Sequence, residues 1–313
     1  MGSLSHFLSL YPVSTALDVR CRFRAPWVLD HPGNSTGAAP YHLVVEGEAQ
    51  LEMAGEPPRA LQAGDIVMFP RGGAHRLHAR APGQDAAPNL PVADAGALPL
   101  VANEGEGAQA RILCGAFTLG EGPGNPLLGA LPELVHLRTA GREDLAMLQA
   151  LLAMLRSEAD SVRPGARAVV TQLASALFAL LMRAWVEQNG TMPGLFALLA
   201  QARLQPAVQA MLTAPERPWQ LAELAAACNL SRSAFARIFQ QTANATPNDI
   251  LMQTRMARAA GYLRQGRLSL GQVAELVGYQ SEAAFSRVFK RAIGCSPGAY
   301  RRAGAAAPAS RVA

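Results

Sequence analysis

Lysine is almost missing from this chain: Lys290 is the one example in 313 residues, and arginine carries the remaining positive charge. Coding bias explains such a preference, so it assigns no function. Long apolar runs are missing too. The richest, Val169 to Met182, is short and interrupted by Thr171, Gln172 and Ser175, so no bilayer span and no membrane partner are expected. The opening residues show no basic stretch followed by an apolar one, so no secretory signal is read. Four cysteines at irregular spacing do not make a disulfide scaffold in a chain this long. The expected location is the cytoplasm. Enzyme signatures are equally scarce: no Ser-His-Asp set, phosphate loop or paired-carboxylate site stands out. Asp65 and Glu46 fall in strand and turn positions where solvated roles are commoner.

What is present bounds the fold class. The length suggests two domains, and 50% hydrophobic with 16% charged residues is ordinary for a globular protein. Charge is divided unevenly: residues 1–204 sum to −3 and residues 205–302 to +7. A basic C-terminal module points to a polyanionic partner.

Residues 1–140 read as β-structure through about residue 120. Short alternating runs (Tyr41–Val45, Ala49–Met53, Ile66–Phe69, Arg111–Leu119) sit between Gly/Pro-rich turns, as in a small barrel or sandwich. Pro82 to Gly107 has no period and reads as a long flexible insertion. Within 141–203 the period turns helical: Leu145, Leu148, Leu151, Leu152 and Leu155 form one stripe, and Val170, Leu173, Leu177, Leu180 and Leu181 a second. Arg163-Pro164-Gly165 separates them into an antiparallel hairpin, and a homodimer through it is expected. Residues 303–313 read as a flexible tail.

The last third says one thing twice. Leu224-Ala225-x3-Asn229-x-Ser231-x3-Phe235-x-Arg237-x-Phe239 returns as Val273-Ala274-x3-Gly278-x2-Ser281-x3-Phe285-x-Arg287-x-Phe289, with one extra residue in the second turn. Each copy reads as a helix-turn-helix. Leu221–Cys228 and Leu270–Val277 are the expected support helices; Ser231 and Ser281 cap the recognition helices. Phe235, Ile238 and Phe239, like Phe285, Val288 and Phe289, should face inward. The candidate DNA-reading residues are Ser231, Arg232, Ser233, Ala236, Arg237 and Gln240, then Ser281, Glu282, Ala283, Ser286, Arg287 and Lys290. Small side chains allow close approach to a groove, while Arg and Lys suit guanine edges or phosphates. Thr246-Pro247 and Ser296-Pro297 each put a capping hydroxyl before a first-turn proline. The helix opening at Pro247 should run to about Leu263, stopped by Gly266. Its roughly 17 residues span about 26 Å, against about 34 Å between successive major grooves.

With its closing Gly278-Tyr279 … Phe285-Ser286-Arg287-x-Phe289-Lys290 … Ser296-Pro297-x2-Tyr300-Arg301, residues 204–302 resemble the AraC/XylS family of transcription regulators. The resemblance implies promoter binding, usually activation, with RNA polymerase as a partner and a companion sensory domain. Gly64-x5-Pro70-x-Gly72-x2-His75 and the hairpin Val44-Val45-Glu46-Gly47-Glu48 resemble the cupin signatures. Metal-binding cupins carry a His-x-His pair and a Glu seven residues before the hairpin glycine; here Pro40 stands there, so no metal site is expected. His42 and His75 are expected to share the barrel interior. Ala49-x-Leu51-Glu52-Met53, Ala74-His75-Arg76-Leu77 and Cys114-Gly115 are similar to the reactive-chlorine-responsive, RclR-like subgroup. That resemblance puts Cys21 and Cys114 where redox-sensing relatives have cysteines. A thiolate beside Arg20 or Arg22 would oxidise more easily, while a buried small hydrophobe is the plainer reading of Cys114.

The reading is thus an α+β two-domain regulator: an N-terminal cupin β-barrel with a helical hairpin, then an all-α tandem helix-turn-helix. Its control is a small-molecule or oxidant effector, and no cofactor is expected. The alternative is a metal-dependent cupin enzyme with a helical accessory module. A third, a DNA-bending architectural protein, leaves the cupin unexplained.

Overall fold

The computed structural model describes residues 8, 13–33, 38–79, 85–119, 131–189 and 194–306. They form two modules, one from Val13–Leu119 with Leu131–Trp185, the other from Val186 onward.

In the first module, eleven strands are described. β1 (Val13–Arg24), β3 (Ala38–Glu46), β6 (Asp65–Met68), β8 (Leu90–Val92), β9 (Leu100–Ala102), β10 (Gln109–Leu119) and β11 (Val135–Arg138) form one sheet in the order β11-β6-β3-β10-β1-β9-β8. β2 (Trp27–His31), β4 (Glu48–Met53), β5 (Arg59–Gln62) and β7 (His75–Ala79) form the other, ordered β2-β7-β4-β5. The expected closed barrel is therefore two facing sheets, since no ladder among the described residues joins one sheet to the other. The chain changes sheets at turns such as Gly47, whose φ is +77° and where a Cβ would strike the backbone of Gln109. Cys21, Phe23, Val44, Val67, Ile112 and Cys114 from one sheet meet Trp27, Leu51, Leu61 and Leu77 from the other to make the core.

Two expectations need correction here. Within Pro82 to Gly107, residues 85–107 are not structureless: β9 pairs in parallel with β1, and Arg20 holds the preceding loop through the Leu98 carbonyl (3.0 Å) and Asp94. Residues 80–84 lie outside the described set. Asp65 is not solvated but 1% exposed, accepting from the Gln62 N–H (3.2 Å) and facing His136 Nε2 at 3.1 Å. Glu46 stays partly exposed beside Arg111 and Arg156.

Helices α1 (Ala146–Ala159) and α2 (Ala166–Asn189) follow, separated at Gly165, whose φ is +83°. Asp160 beyond α1 pairs with Arg20 and Arg111, while Ser175 of α2 bonds Thr15 and Phe178 rests on Phe117. The outward sides of β1 and β10 are thereby partly covered. Here too the sequence reading was short. α2 runs 24 residues, and Ala166–Gln188 is long and apolar enough, by length and composition, to cross a membrane. Of the apolar stripe read from sequence, Val170, Leu177 and Leu181 are buried, while Leu173 and Leu180 are only partly so.

The second module is helical: α3 (Leu195–Ala200), α4 (Gln205–Thr213), α5 (Leu221–Ala227), α6 (Arg232–Ala243), α7 (Pro247–Gln265), α8 (Leu270–Leu276), α9 (Glu282–Ile293) and α10 (Pro297–Ala306). Residues 303–306, expected in the flexible tail, continue α10, and 307–313 lie outside the described residues. α7 begins with a capping box between Thr246 and Asp249 and ends at left-handed Gly266. It is buried on several sides because both repeats pack on it, which is why it carries no single apolar stripe.

Candidate functional site

The two repeats have the same local build. Ser231 Oγ accepts the Ala234 N–H (3.3 Å) to start α6, and Ser281 Oγ accepts the Ala284 N–H (3.2 Å) to start α9. In each turn a left-handed residue, Asn229 or Gly278, reverses the chain, and the next N–H returns to the support helix: Leu230 to the Ala225 carbonyl (3.0 Å), Tyr279 to the Ala274 carbonyl (2.9 Å). Phe235 and Phe239 sit 5.5 Å apart ring to ring, as do Phe285 and Phe289. All four are fully buried, while Ile238 and Val288 are only partly so.

That packing leaves one face of each helix uncovered. Ser231, Arg232, Ser233, Arg237 and Gln240 are exposed on α6; Ser281, Glu282, Ala283, Arg287 and Lys290 are exposed on α9; Ala236 and Ser286 are half-buried at matching positions. Among the described residues no carboxylate pairs with Arg232, Arg237, Arg287 or Lys290, so these exposed cations are not neutralised by an acid of the chain. Arg237 only reaches Gln241, at 3.5 Å. Glu282 occupies the first turn of α9, where a carboxylate suits the helix dipole.

The core of the first module holds a second cluster. His75 Nδ1 lies 2.7 Å from the Gly73 carbonyl, and a carbonyl can only accept, so this nitrogen carries the proton. Burial holds His75 neutral, lowering its pKa to about 4, and holds His42 well below its ordinary value. His75 Nε2 is then an acceptor, so His42 Nε2–H donates to it across 2.8 Å. His42 Nδ1 is left to accept from the Cys114 thiol at 3.0 Å. One hydrogen-bond chain thus runs Cys114–His42–His75–Gly73. A hydrogen bond with Cys21 and burial both push the Cys114 thiol well above its usual range.

The expected arginine activation of the thiols is not there. Cys21 points into the core with Phe23, whereas Arg20, on the other side of β1, is held by Leu98, Asp94 and Asp160. Nor do both histidines line the cavity. A space of about 250 Å³ is bounded by Asp18, His31, Pro40, His42 and Cys114. His75 lies behind it, stacked between Phe69 (3.5 Å) and His31 (4.7 Å). Sequence reasoning missed His31, which reaches the cluster through the His31–His75 register of β2 and β7. The residues do not fit a cupin metal: Pro40 replaces a carboxylate, and His42 and His75 spend their facing nitrogens on each other. Among the described residues no three His, Cys, Asp or Glu groups are arranged to hold an ion.

Comparison with known proteins decides the family. Residues 3–187 match the model described as Cupin, and residues 224–303 the model described as Helix-turn-helix domain. The RCS-specific HTH-type transcriptional activator RclR of Escherichia coli is 30% identical over 96% of this chain and 97% of its own. This chain belongs to the AraC family, with a cupin N-terminal domain. As an AraC-family regulator it binds promoter DNA and is not an enzyme. Two further relatives are the HTH-type transcriptional regulators MtrA of Neisseria gonorrhoeae and AlkR of Acinetobacter baylyi. MtrA is 30% identical over 97% of this chain and 99% of its own. AlkR is 36% identical over 57% of this chain and 59% of its own.

Proposed function

We propose that this AraC-family regulator reads two successive major grooves with α6 and α9, and that a signal in the cupin core controls it. The observation carrying the first part is the doubled exposed face on two helices built alike. Arg232, Arg237, Arg287 and Lys290 supply cationic donors to base edges and phosphates, and Ser231, Ser233, Gln240, Ser281 and Ser286 supply polar contacts. Ala236 and Ala283 allow close approach, and Glu282 suits a cytosine amino group. The 19 residues of α7 span about 28 Å, near the groove repeat of about 34 Å, so the duplex bends or the helices tilt to fit. The protein acts in the cytoplasm as a promoter-bound activator with RNA polymerase as its partner.

The signal we assign is oxidation of Cys114. An oxidant of the peroxide or hypohalous class converts its S–H to a sulfenic acid. The Cys21 thiol then attacks that sulfur and expels water, closing a disulfide. His42 Nδ1 is placed to take the thiol proton. The named specificity of RclR supports an oxidant over an inert ligand. The cavity beside His42 offers the oxidant a route. Met147 and Met154, 67% and 49% exposed and two turns apart on α1, offer an apolar edge for a homodimer.

The deciding experiment maps genome-wide DNA binding of the full chain with and without hypochlorite, for wild type and for Cys21→Ala and Cys114→Ala. Discrete promoter sites, with occupancy or transcription changed by oxidant only when both thiols are present, support the reading. Binding indifferent to sequence sinks the DNA part; switching that survives both substitutions sinks the redox part.

A further inference from the structure

Two arginines on α7 both serve the backbone segment that leads into the first repeat. Arg255 Nε donates to the Pro215 carbonyl at 2.6 Å, and its terminal nitrogen to the carbonyls of Arg217 (3.1 Å) and Glu216 (3.4 Å). One turn further on, Arg258 donates to the carbonyls of Thr213 (3.1 Å) and Leu212 (3.5 Å) and meets the Glu216 carboxylate at 3.4 Å. These acceptors are the carbonyls at the C-terminal end of α4 and of the strap leading into α5, where a helix dipole presents negative charge.

The same strap touches the second repeat. Gly278, in the turn between α8 and α9, lies so close to the backbone of Glu216 that no Cβ fits between them. The ring of the next residue, Tyr279, lies 5.7 Å from the Arg255 guanidinium, within cation–π range. Residues 212–217, the entry to the first helix-turn-helix, are therefore held both to α7 and to the turn of the second. The repeats share a clamp as well as a linker.

We propose that Arg255 and Arg258 are positioning residues that set the separation and relative angle of α6 and α9, and so the half-site spacing the chain accepts on DNA. This rests on the two-groove reading. A stiff two-headed reader gains from its second head only when the spacing matches, whereas a loose joint accepts many spacings with a smaller gain at each.

The test uses the full-length chain and duplexes that wild type selects from a random library. Base pairs are then inserted or deleted between the two half-sites, and each half-site is also presented alone. Wild type should lose about tenfold or more in Kd at shifted spacings. The Arg255→Ala, Arg258→Ala double variant should bind single half-sites within about twofold of wild type, weaken about fivefold at the selected spacing, and show a flattened spacing profile. Arg255→Lys, which cannot span three carbonyls, should fall between and covers the case in which the double variant does not fold. A wild-type spacing profile in the lysine variant and in any folded alanine variant overturns the clamp. If wild type gains nothing from a second half-site at any spacing, the two-groove reading fails, and this proposal with it.

Discussion

Asn229 and Gly278 hold the same position in the two turns, both left-handed, with φ of 52° and 80°. Asparagine and glycine are the residues that adopt this conformation at least cost. The two sites nevertheless differ in surroundings, because only Gly278 is pressed against Glu216. Asn229→Gly should leave the melting of the helical module nearly unchanged, while Asn229→Val should cost about 1–2 kcal/mol. Gly278→Ala should cost more than Asn229→Ala, since backbone strain and collision add. Thermal unfolding of the full chain, followed by circular dichroism, checks the order; equal losses at both positions would refute the close-approach argument.

The DNA-reading face predicts two separable behaviours. Arg237→Ala or Arg287→Ala should lose about 1–3 kcal/mol and relax base preference at one position if the guanidinium grips a guanine. Lys290→Ala should instead weaken binding evenly across sequences and lower the salt slope by about one. Titrations against selected and mismatched duplexes at several salt concentrations distinguish these results. A uniform loss for the arginines would move them to the phosphate class.

Much of the helical module was legible because it is written twice: caps, turn and aromatic pair recur with one inserted residue, so each copy checks the other. α3 was not, since Leu195–Ala200 is apolar on every side and has no period to read. In the sheets, β1 does carry a signal, with Val19, Cys21 and Phe23 alternating against Arg20, Arg22 and Arg24. What no local pattern shows is register. His31 joins the histidine cluster through the β2–β7 ladder, and β9 is ordered by a strand about eighty residues away.

The core histidines make stability pH-dependent in a defined direction. His75 falls from 6.5 to about 4 on folding through burial, and burial lowers His31 and His42 as well. The unfolded chain then binds more protons between these values. The stabilisation is complete above about pH 6.5 and is lost as pH falls towards 4, up to about 3 kcal/mol for His75 alone. Denaturation of the full chain at pH 7.5 and 5 should show the loss, and His75→Gln should reduce it. An unchanged pH slope in His75→Gln would place the effect elsewhere.

The exposed methionines of α1 give a prediction about assembly. Met147→Asp with Met154→Asp puts two charges where a partner would dock, without touching the buried stripe of Leu148, Leu151 and Leu155. Sedimentation should show a wild-type dimer and a folded monomeric variant. A dimer that tolerates both charges would locate the interface on another surface.

The hydrogen-bond chain from Cys114 to Gly73 assigns a proton route to the sensing thiol. Burial and Cys21 keep Cys114 protonated at neutral pH, so its reaction with an oxidant needs an acceptor at the moment of attack, and His42 Nδ1 is the nearest shown. General-base help of this kind contributes about 10²–10⁴ in rate. His42→Phe keeps a buried ring of similar shape but removes the acceptor, so disulfide formation between Cys21 and Cys114 should slow by about 10² or more. His75→Gln should slow it less, because it acts only by orienting His42. Time-resolved alkylation and mass spectrometry of the intact chain after a hypochlorite pulse measure both rates. If His42→Phe oxidises as fast as wild type, the thiol proton leaves by another path and the histidines are packing.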